Sequence, residues 1–422
     1  MTFEAIPAAA PPAAAARGSD GLRTAWRVLL VTRVAVLLVA IFAALSFGPA
    51  TGGLAEENAQ KFDDPALSAP LGGAGETLLS PLARWDSIWY LRIARSGYAD
   101  SEVRAAFFPL YPLLSRGLAE LGGGSAAALL IAAYLVSLAA FLGALVLLHR
   151  LAALELGHRL AAPTVLLLAV FPGALFFGAP YSESLFLLAS AGAFYAARTG
   201  HWAWAAAAAA AASATRSAGL VLLLPLALFW WTSRPRRPHD AAWLLLVPLG
   251  TAAYAAFLGL AEGDALRFLE VQDAWSREFA GPLVGAWDGL GAAVDGVRQL
   301  ASGQRSHVYF EQAGGDPYRV AAINIILVGF LAFAAVAVVG VWRRLPRPYA
   351  VYLVAALALP LSFPVEPQPL MSLPRFLAVL FPIFMWLALV CEERRSTDLA
   401  VAASALGLGL FTAQYASWHF IS

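Results

Sequence analysis

The chain has 422 residues, of which 60% are hydrophobic and only 13% charged, against roughly 25% charged in an ordinary soluble domain. Its mean hydropathy is +0.70, its net charge is +1, and Cys391 is the single cysteine. These figures exclude a soluble cytosolic enzyme, an intrachain disulfide scaffold, a disordered chain and a protein drawn to nucleic acid by bulk charge.

The unbroken apolar runs 161–179 and 320–341 do not suit barrel strands of about ten alternating residues. The fold class is therefore an all-α polytopic membrane protein. Residues 1–23 are rich in Ala and Pro and read as a disordered cytoplasmic tail. Arg17, Arg23 and Arg27 then precede the apolar stretch 28–46. A cleavable signal peptide fits that pattern, but an uncleaved first span fits better, because the run is long enough to cross and many spans follow.

Eleven spans are expected, near 26–46, 125–148, 161–179, 183–197, 202–214, 218–232, 242–261, 319–342, 349–363, 374–391 and 398–418. Several fall short of the roughly 20 residues of a straight crossing, so broken helices are expected between 161 and 232. With the N-terminus inside, every short return is basic: His149-Arg150, Arg159, Arg198, Arg234 with Arg236-Arg237, Arg343-Arg344 with Arg347, and Arg394-Arg395. This puts two long loops, 47–124 and 262–318, and the C-terminus on the extracytoplasmic side. Residues 24–422 form one integral membrane domain.

The first long loop contains Arg84-Trp85-Asp86-Ser87-Ile88-Trp89-Tyr90. Trp85, Ile88, Trp89 and Ile93 share one helical face, which predicts an interfacial helix on the outer surface. Asp86, at its start, is either a helix cap or a base for a hydroxyl nucleophile. Phe107-Phe108-Pro109-Leu110-Tyr111-Pro112 follows; its prolines predict a break in helix, with the aromatics re-entering the interface or lining a lipid groove.

The turn from Phe171-Pro172-Gly173 to Tyr181-Ser182-Glu183-Ser184 places an acid against apolar helix. Such an acid is a site candidate by default, or an N-cap. Arg216 and Arg375 lie on the outer side, against the positive-inside bias. They suit a lipid phosphate, or else pair with Glu183, Asp86 or Glu366, or snorkel to headgroups. In the second loop, Gln272-Asp273-Ala274-Trp275-Ser276-Arg277-Glu278, followed by His307, Tyr309, Glu311 and Asp316, reads as a solvated helix or as part of an acceptor site. No nucleotide-binding glycine motif, H-E-x-x-H or D-x-D is present. A soluble nucleotide sugar has nowhere obvious to bind, which favours a membrane-borne donor over a soluble one.

These segments, in this order, with Leu373-Pro374-Arg375-Phe376 as the last, resemble the bacterial relatives of glycosylphosphatidylinositol mannosyltransferase II, in the glycosyltransferase C superfamily. The resemblance covers roughly residues 24–395. It implies an inverting enzyme of the cell envelope, in a bacterial plasma membrane, with its active site outside. The implied partners are a polyprenyl-phosphate sugar donor, of mannose or a related hexose or pentose, and a lipid-linked or envelope acceptor.

Carried over, Asp86 is the catalytic base and Arg216 and Arg375 hold the donor phosphate. Arg84, Trp85, Trp89, Tyr90, Tyr111, Tyr181 and Glu183 are the donor- or acceptor-binding candidates. Some superfamily members pair acids in this loop and use a divalent metal, but Ser87-Ile88 follows Asp86 here, so no metal is assigned. The acceptor does not transfer with the resemblance. The alternatives from other classes are a transporter or flippase of a phosphate-bearing lipid or glycolipid, and a non-catalytic envelope assembly factor.

Overall fold

The computed structural model describes residues 14–47, 62–99, 101–272, 277–310 and 316–419, and among them there is helix but no strand. Asp273, Ala274, Trp275, Ser276 and Glu311 lie outside the described residues. So do residues 1–13, most of the expected tail. Helix already occupies 14–23, because α1 runs Ala14–Phe47.

Five of the eleven expected spans are helices long and apolar enough to cross a membrane: Asp20–Phe47, Ala126–Leu156, Pro238–Ala261, Pro317–Arg344 and Thr397–Ala416. The chain is an integral membrane protein. The other expected spans are shorter or broken. Residues 161–179 divide into a helix ending at Ala169 and a 3-10 turn over Pro172–Phe177. Residues 374–391 divide into Leu373–Ala378 and Pro382–Arg394. Proline at the head of each second piece lacks the N–H that would continue the first helix.

After α1, the principal helices are α2 (Asp86–Ser96), α3 (Leu110–Glu120), α4 (Ala126–Leu156), α5 (His158–Ala169), α6 (Glu183–Arg198), α7 (Trp202–Thr215), α8 (Leu223–Thr232) and α9 (Leu249–Ala261). They continue with α10 (Pro282–Ala301), α11 (Pro317–Arg344), α12 (Arg347–Leu361), α13 (Leu373–Ala378), α14 (Pro382–Arg394) and α15 (Thr397–Ala416). Ser125 caps α4 by accepting from Ala128 N–H at 3.1 Å, and Asp316 caps α11 through Tyr318 N–H at 3.0 Å. Helix α6 packs between α4 and α7, and α1 runs along α15, α4 and α5. Phe194 of α6 centres an aromatic core, with ring centroids 5.4 Å from Phe229, 5.1 Å from Tyr349 and 5.1 Å from Phe381.

Two expectations change. The helix predicted for the outer surface, α2, is buried on most sides: Ser87, Ile88, Trp89, Tyr90, Leu91, Ile93 and Ala94 are all enclosed, and α2 packs on α3 and α4. Pro109 and Pro112 do not break helix. Pro109 precedes α3 and Pro112 sits in its first turn, where the missing N–H has no intrahelical partner to lose.

The basic returns gather at one end of the bundle. Arg159 pairs with Glu392 at 2.7 Å, Arg344 pairs with Glu393, and Arg198 pairs with Glu155, which also accepts from Tyr349 OH at 2.9 Å. Four connections that the charge pattern assigns to one side are thereby tied together. Glu183 and Arg198 lie at opposite ends of α6, roughly 22 Å apart at 1.5 Å per residue. The Glu183 cluster described below is therefore at the far end.

The break between α5 and the 3-10 turn is held by Arg33 of α1. Its guanidinium donates to Ala174 O at 2.5 Å and to Ala169 O at 3.0 Å, and lies 5.0 Å from the Phe141 ring centroid. These carbonyls have no water to turn to at this depth. Arg33→Leu should strand both carbonyls and lower stability by about 1–3 kcal/mol. Thermal unfolding of the two proteins in the same detergent checks it, and an unchanged midpoint would show that the break holds without Arg33.

Candidate functional site

Asp86 and Glu183 are the first residues of α2 and α6, where the positive ends of the helix dipoles favour carboxylates. Arg216 is the residue after α7, in extended conformation, where a cation is favoured. Arg375 lies in the short helix α13.

These four side chains meet. Arg375 donates through Nη1 to Asp86 Oδ2 at 2.6 Å and through Nε to Glu183 Oε1. Arg216 donates through Nη1 to the same Glu183 oxygen. Arg375 also lies over the Tyr181 and Phe176 rings, at 4.7 and 5.2 Å from their centroids. The charges form a chain, Asp86–Arg375–Glu183–Arg216, in which Arg375 bridges both acids. The side chain of Asp86 is 25% exposed and that of Glu183 only 1%. Asp86 is thus the more accessible carboxylate, whereas Glu183 is buried and holds both arginines through one oxygen.

Metal is a poor fit for these carboxylates, because the Arg375 guanidinium already stands between them. Among the described residues, no group of three or more His, Cys, Asp and Glu side chains is placed to hold a metal ion.

Two glycines make the convergence sterically possible. A Cβ on Gly173 would lie 2.2 Å from Pro374 O, so the 3-10 turn touches the backbone next to Arg375 only because residue 173 has no side chain. A Cβ on Gly219 would lie 2.2 Å from Ser213 N, which explains the glycine three residues after Arg216. Gly173→Ala should push α13 outward, draw Arg375 away from Asp86 and lower stability by about 1–3 kcal/mol, the usual cost of overpacking. Thermal unfolding in one detergent checks it, and an unchanged midpoint would show that the contact relaxes harmlessly.

The other predicted site residues surround this chain without joining it. Tyr181 is buried; its hydroxyl accepts from Asp86 N–H at 3.1 Å and donates to Arg84 O at 3.3 Å. Tyr90 hydrogen-bonds Ser182 Oγ at 2.7 Å and packs on Tyr111 and Tyr181. Tyr111 is fully buried, with its hydroxyl donated to Ala133 O at 2.9 Å. The Arg84 side chain turns to the end of α15, where it donates to Ala416 O and lies 4.7 Å from the Trp418 ring centroid.

Trp85 is buried between Phe62 and Trp418, and Trp89 is stacked on Phe107. Trp85 takes φ +57°, a conformation that costs a non-glycine residue on the order of 1–3 kcal/mol and is often kept where a site requires it. Here it turns the chain so that Asp86 opens α2.

The sequence reading leaves out Tyr415 and names Arg277 only within a loop motif, as a solvated helix or part of an acceptor site. Tyr415, near the end of α15, donates to Arg84 O at 2.7 Å and fixes the turn before Asp86 from outside the motif. Arg277 has its Nε out of solvent contact and without a hydrogen-bond partner, and it feels Asp86, Arg375 and Arg216 electrostatically. Its motif was visible, but the solvated-helix reading gave no reason to turn it inward. After the short helix Arg267–Glu270, residues 277–280 are non-helical.

Comparison with known proteins adds the family. Residues 26–229, just under half of the chain, match the family described as Mannosyltransferase (PIG-V). GPI alpha-1,6-mannosyltransferase 2 of Rattus norvegicus is 39% identical over 142 residues, covering 31% of this chain and 28% of the relative. The match thus spans little more than a quarter of that relative's length.

Among solved structures, the Archaeoglobus fulgidus oligosaccharyltransferase tethered with an acceptor peptide aligns at TM-score 0.44 and 12% identity, over 92% of this chain and 55% of that one. ArnT from Cupriavidus metallidurans bound to undecaprenyl phosphate aligns at 0.38 and 17%, over 92% and 76%. The family match takes in the Asp86, Glu183 and Arg216 segments that carried the resemblance in the sequence. Over residues 26–229 this chain is similar to the mannosyltransferase (PIG-V) family.

Proposed function

We propose that this protein is an inverting mannosyltransferase that moves a sugar from a polyprenyl-phosphate donor to a lipid-linked or envelope acceptor. Residues 24–422 act as one membrane-embedded catalytic unit. The site faces the extracytoplasmic side of a bacterial plasma membrane, with the N-terminus inside and the loops 47–124 and 262–318 outside. The basic returns at the opposite end support this orientation.

One observation carries the reading: four segments far apart in the chain place Asp86, Glu183, Arg216 and Arg375 in one network, in which Asp86 is the acid open to substrate. Asp86 accepts the proton of the acceptor hydroxyl as that oxygen bonds to the anomeric carbon. The bond from that carbon to the phosphate oxygen breaks, and the electron pair leaves with the phosphate. Arg216 and Arg375, held by Glu183, lie where that growing negative charge is stabilised. Because the arginines are fixed before reaction, they need not reorganise. Mannose as the transferred sugar is supported by the family match and by the rat relative's name.

The test uses protein in lipid, radiolabelled polyprenyl-phosphate-mannose and an envelope-lipid extract. A new mannosylated lipid or glycan, made by wild type, is expected. Movement of donor across the bilayer with no glycosidic product would replace this reading with a transporter.

A further inference from the structure

Charge counting in the site leaves a remainder. Asp86 and Glu183 supply two negative charges and Arg216 and Arg375 two positive ones, so the bridged chain is neutral. Arg277 adds one more positive charge, and among the described residues no carboxylate is in ion-pair contact with it. Its Nε is out of solvent contact and has no hydrogen-bond acceptor. Its electrostatic neighbours are Asp86, which attracts it, and Arg375 and Arg216, which repel it; burial pushes its pKa down. A guanidinium stays charged even so. A half-buried cation beside two others attracts an anion.

Two backbone hydrogen bonds flank Arg277. Arg277 N–H donates to Gln272 O at 3.1 Å, and Ala280 N–H donates to Ser362 O at 2.9 Å. The Phe279 ring meets Phe363 edge-on, with centroids 5.6 Å apart. Ser362 ends α12, and residues 363–372 separate it from α13, which begins at Leu373.

We infer that Arg277 is a phosphate-binding residue of this site, the one whose charge is not already matched by a carboxylate, and that it takes the phosphate of a lipid-phosphate donor. The inference rests on the proposed function. It divides the arginines into two roles. Arg375 and Arg216, tied to Glu183, act on the charge that grows on the phosphate during transfer, whereas Arg277, with its Nε unpaired, binds the phosphate in the ground state. A planar guanidinium presents two parallel N–H groups to two phosphate oxygens, which suits a phosphodiester in the ground state and the phosphate leaving group afterwards.

The experiment measures equilibrium binding of three probes to full-length protein in lipid nanodiscs: a polyprenyl phosphate, the polyprenol with the same tail, and inorganic phosphate. Wild type should prefer the polyprenyl phosphate over the polyprenol by at least about tenfold, the size expected of a charge-assisted contact. Arg277→Gln should bind the two lipids alike, with polyprenol affinity unchanged. Arg277→Lys, which keeps the charge but not the paired donors, should weaken polyprenyl phosphate severalfold and leave the polyprenol alone. That variant carries the test if the glutamine protein does not fold.

If Arg277→Gln retains the preference, the inference falls while the donor reading stands. If wild type has no preference for the phosphate, the donor reading falls and takes the inference with it. Inorganic phosphate competing as well as the lipid would make this a site for a soluble anion and overturn the lipid-phosphate assignment.

Discussion

Asp86→Asn is expected to lower sugar transfer by about a hundred- to ten-thousand-fold, the range for losing a general base. The substitution is nearly isosteric, and the amide oxygen can still accept from Arg375. What disappears is the charge that takes up the acceptor's proton. Because the Asp86 side chain is 25% exposed and Glu183 continues to anchor Arg375, expression and donor binding should stay close to wild type. Asp86→Glu keeps a carboxylate but displaces it by one methylene, so it should retain part of the activity. The measurement is product formation from radiolabelled polyprenyl-phosphate-mannose, with donor binding followed on the same preparations. Full activity in Asp86→Asn would remove Asp86 from the chemistry and leave it as a partner of Arg375.

The sequence made each member of this network visible singly. Arg216 and Arg375 stood out as outer-face arginines against the charge bias, and Glu183 as an acid against apolar helix. Their meeting was not legible from spacing: Arg216 is 33 residues from Glu183, while Arg375 is 192 from Glu183 and 289 from Asp86. Their position suits an ion-pair partner as well as a phosphate, and in the structure both arginines are paired with carboxylates.

Periodicity also misjudged α2. It puts Trp85, Ile88, Trp89 and Ile93 on one apolar face, but Trp85 precedes the helix, and Ser87, Tyr90 and Leu91 on other faces are covered by the α3 and α4 bundle. Hydropathy marked the apolar segments of the bundle well, because a span is a local property. It had no means of placing the ends of broken helices, where Arg33 replaces a missing helical turn by reaching two carbonyls of another element.

Glu183→Gln should be the most damaging change in the network after loss of the base. One oxygen of Glu183 receives both Arg375 and Arg216, and the side chain is 1% exposed. Removing its charge leaves two neighbouring guanidinium groups with only Asp86 between them and solvent. Breaking a buried pair from one side costs about 3–5 kcal/mol, because the partner stays behind uncompensated. The variant should therefore unfold at lower temperature and lose turnover by at least about a hundredfold as Arg375 drifts from Asp86.

A double change separates the two losses. In Glu183→Gln/Arg216→Gln the leftover charge is gone, so much of the stability should return while turnover stays low, because Arg375 still lacks its anchor. The thermal unfolding cycle over wild type, the two single variants and the double variant measures that coupling directly. Strictly additive stability losses would mean that Glu183 and Arg216 do not act as a pair. Recovered turnover in the double variant would mean that Arg375 is positioned without Glu183.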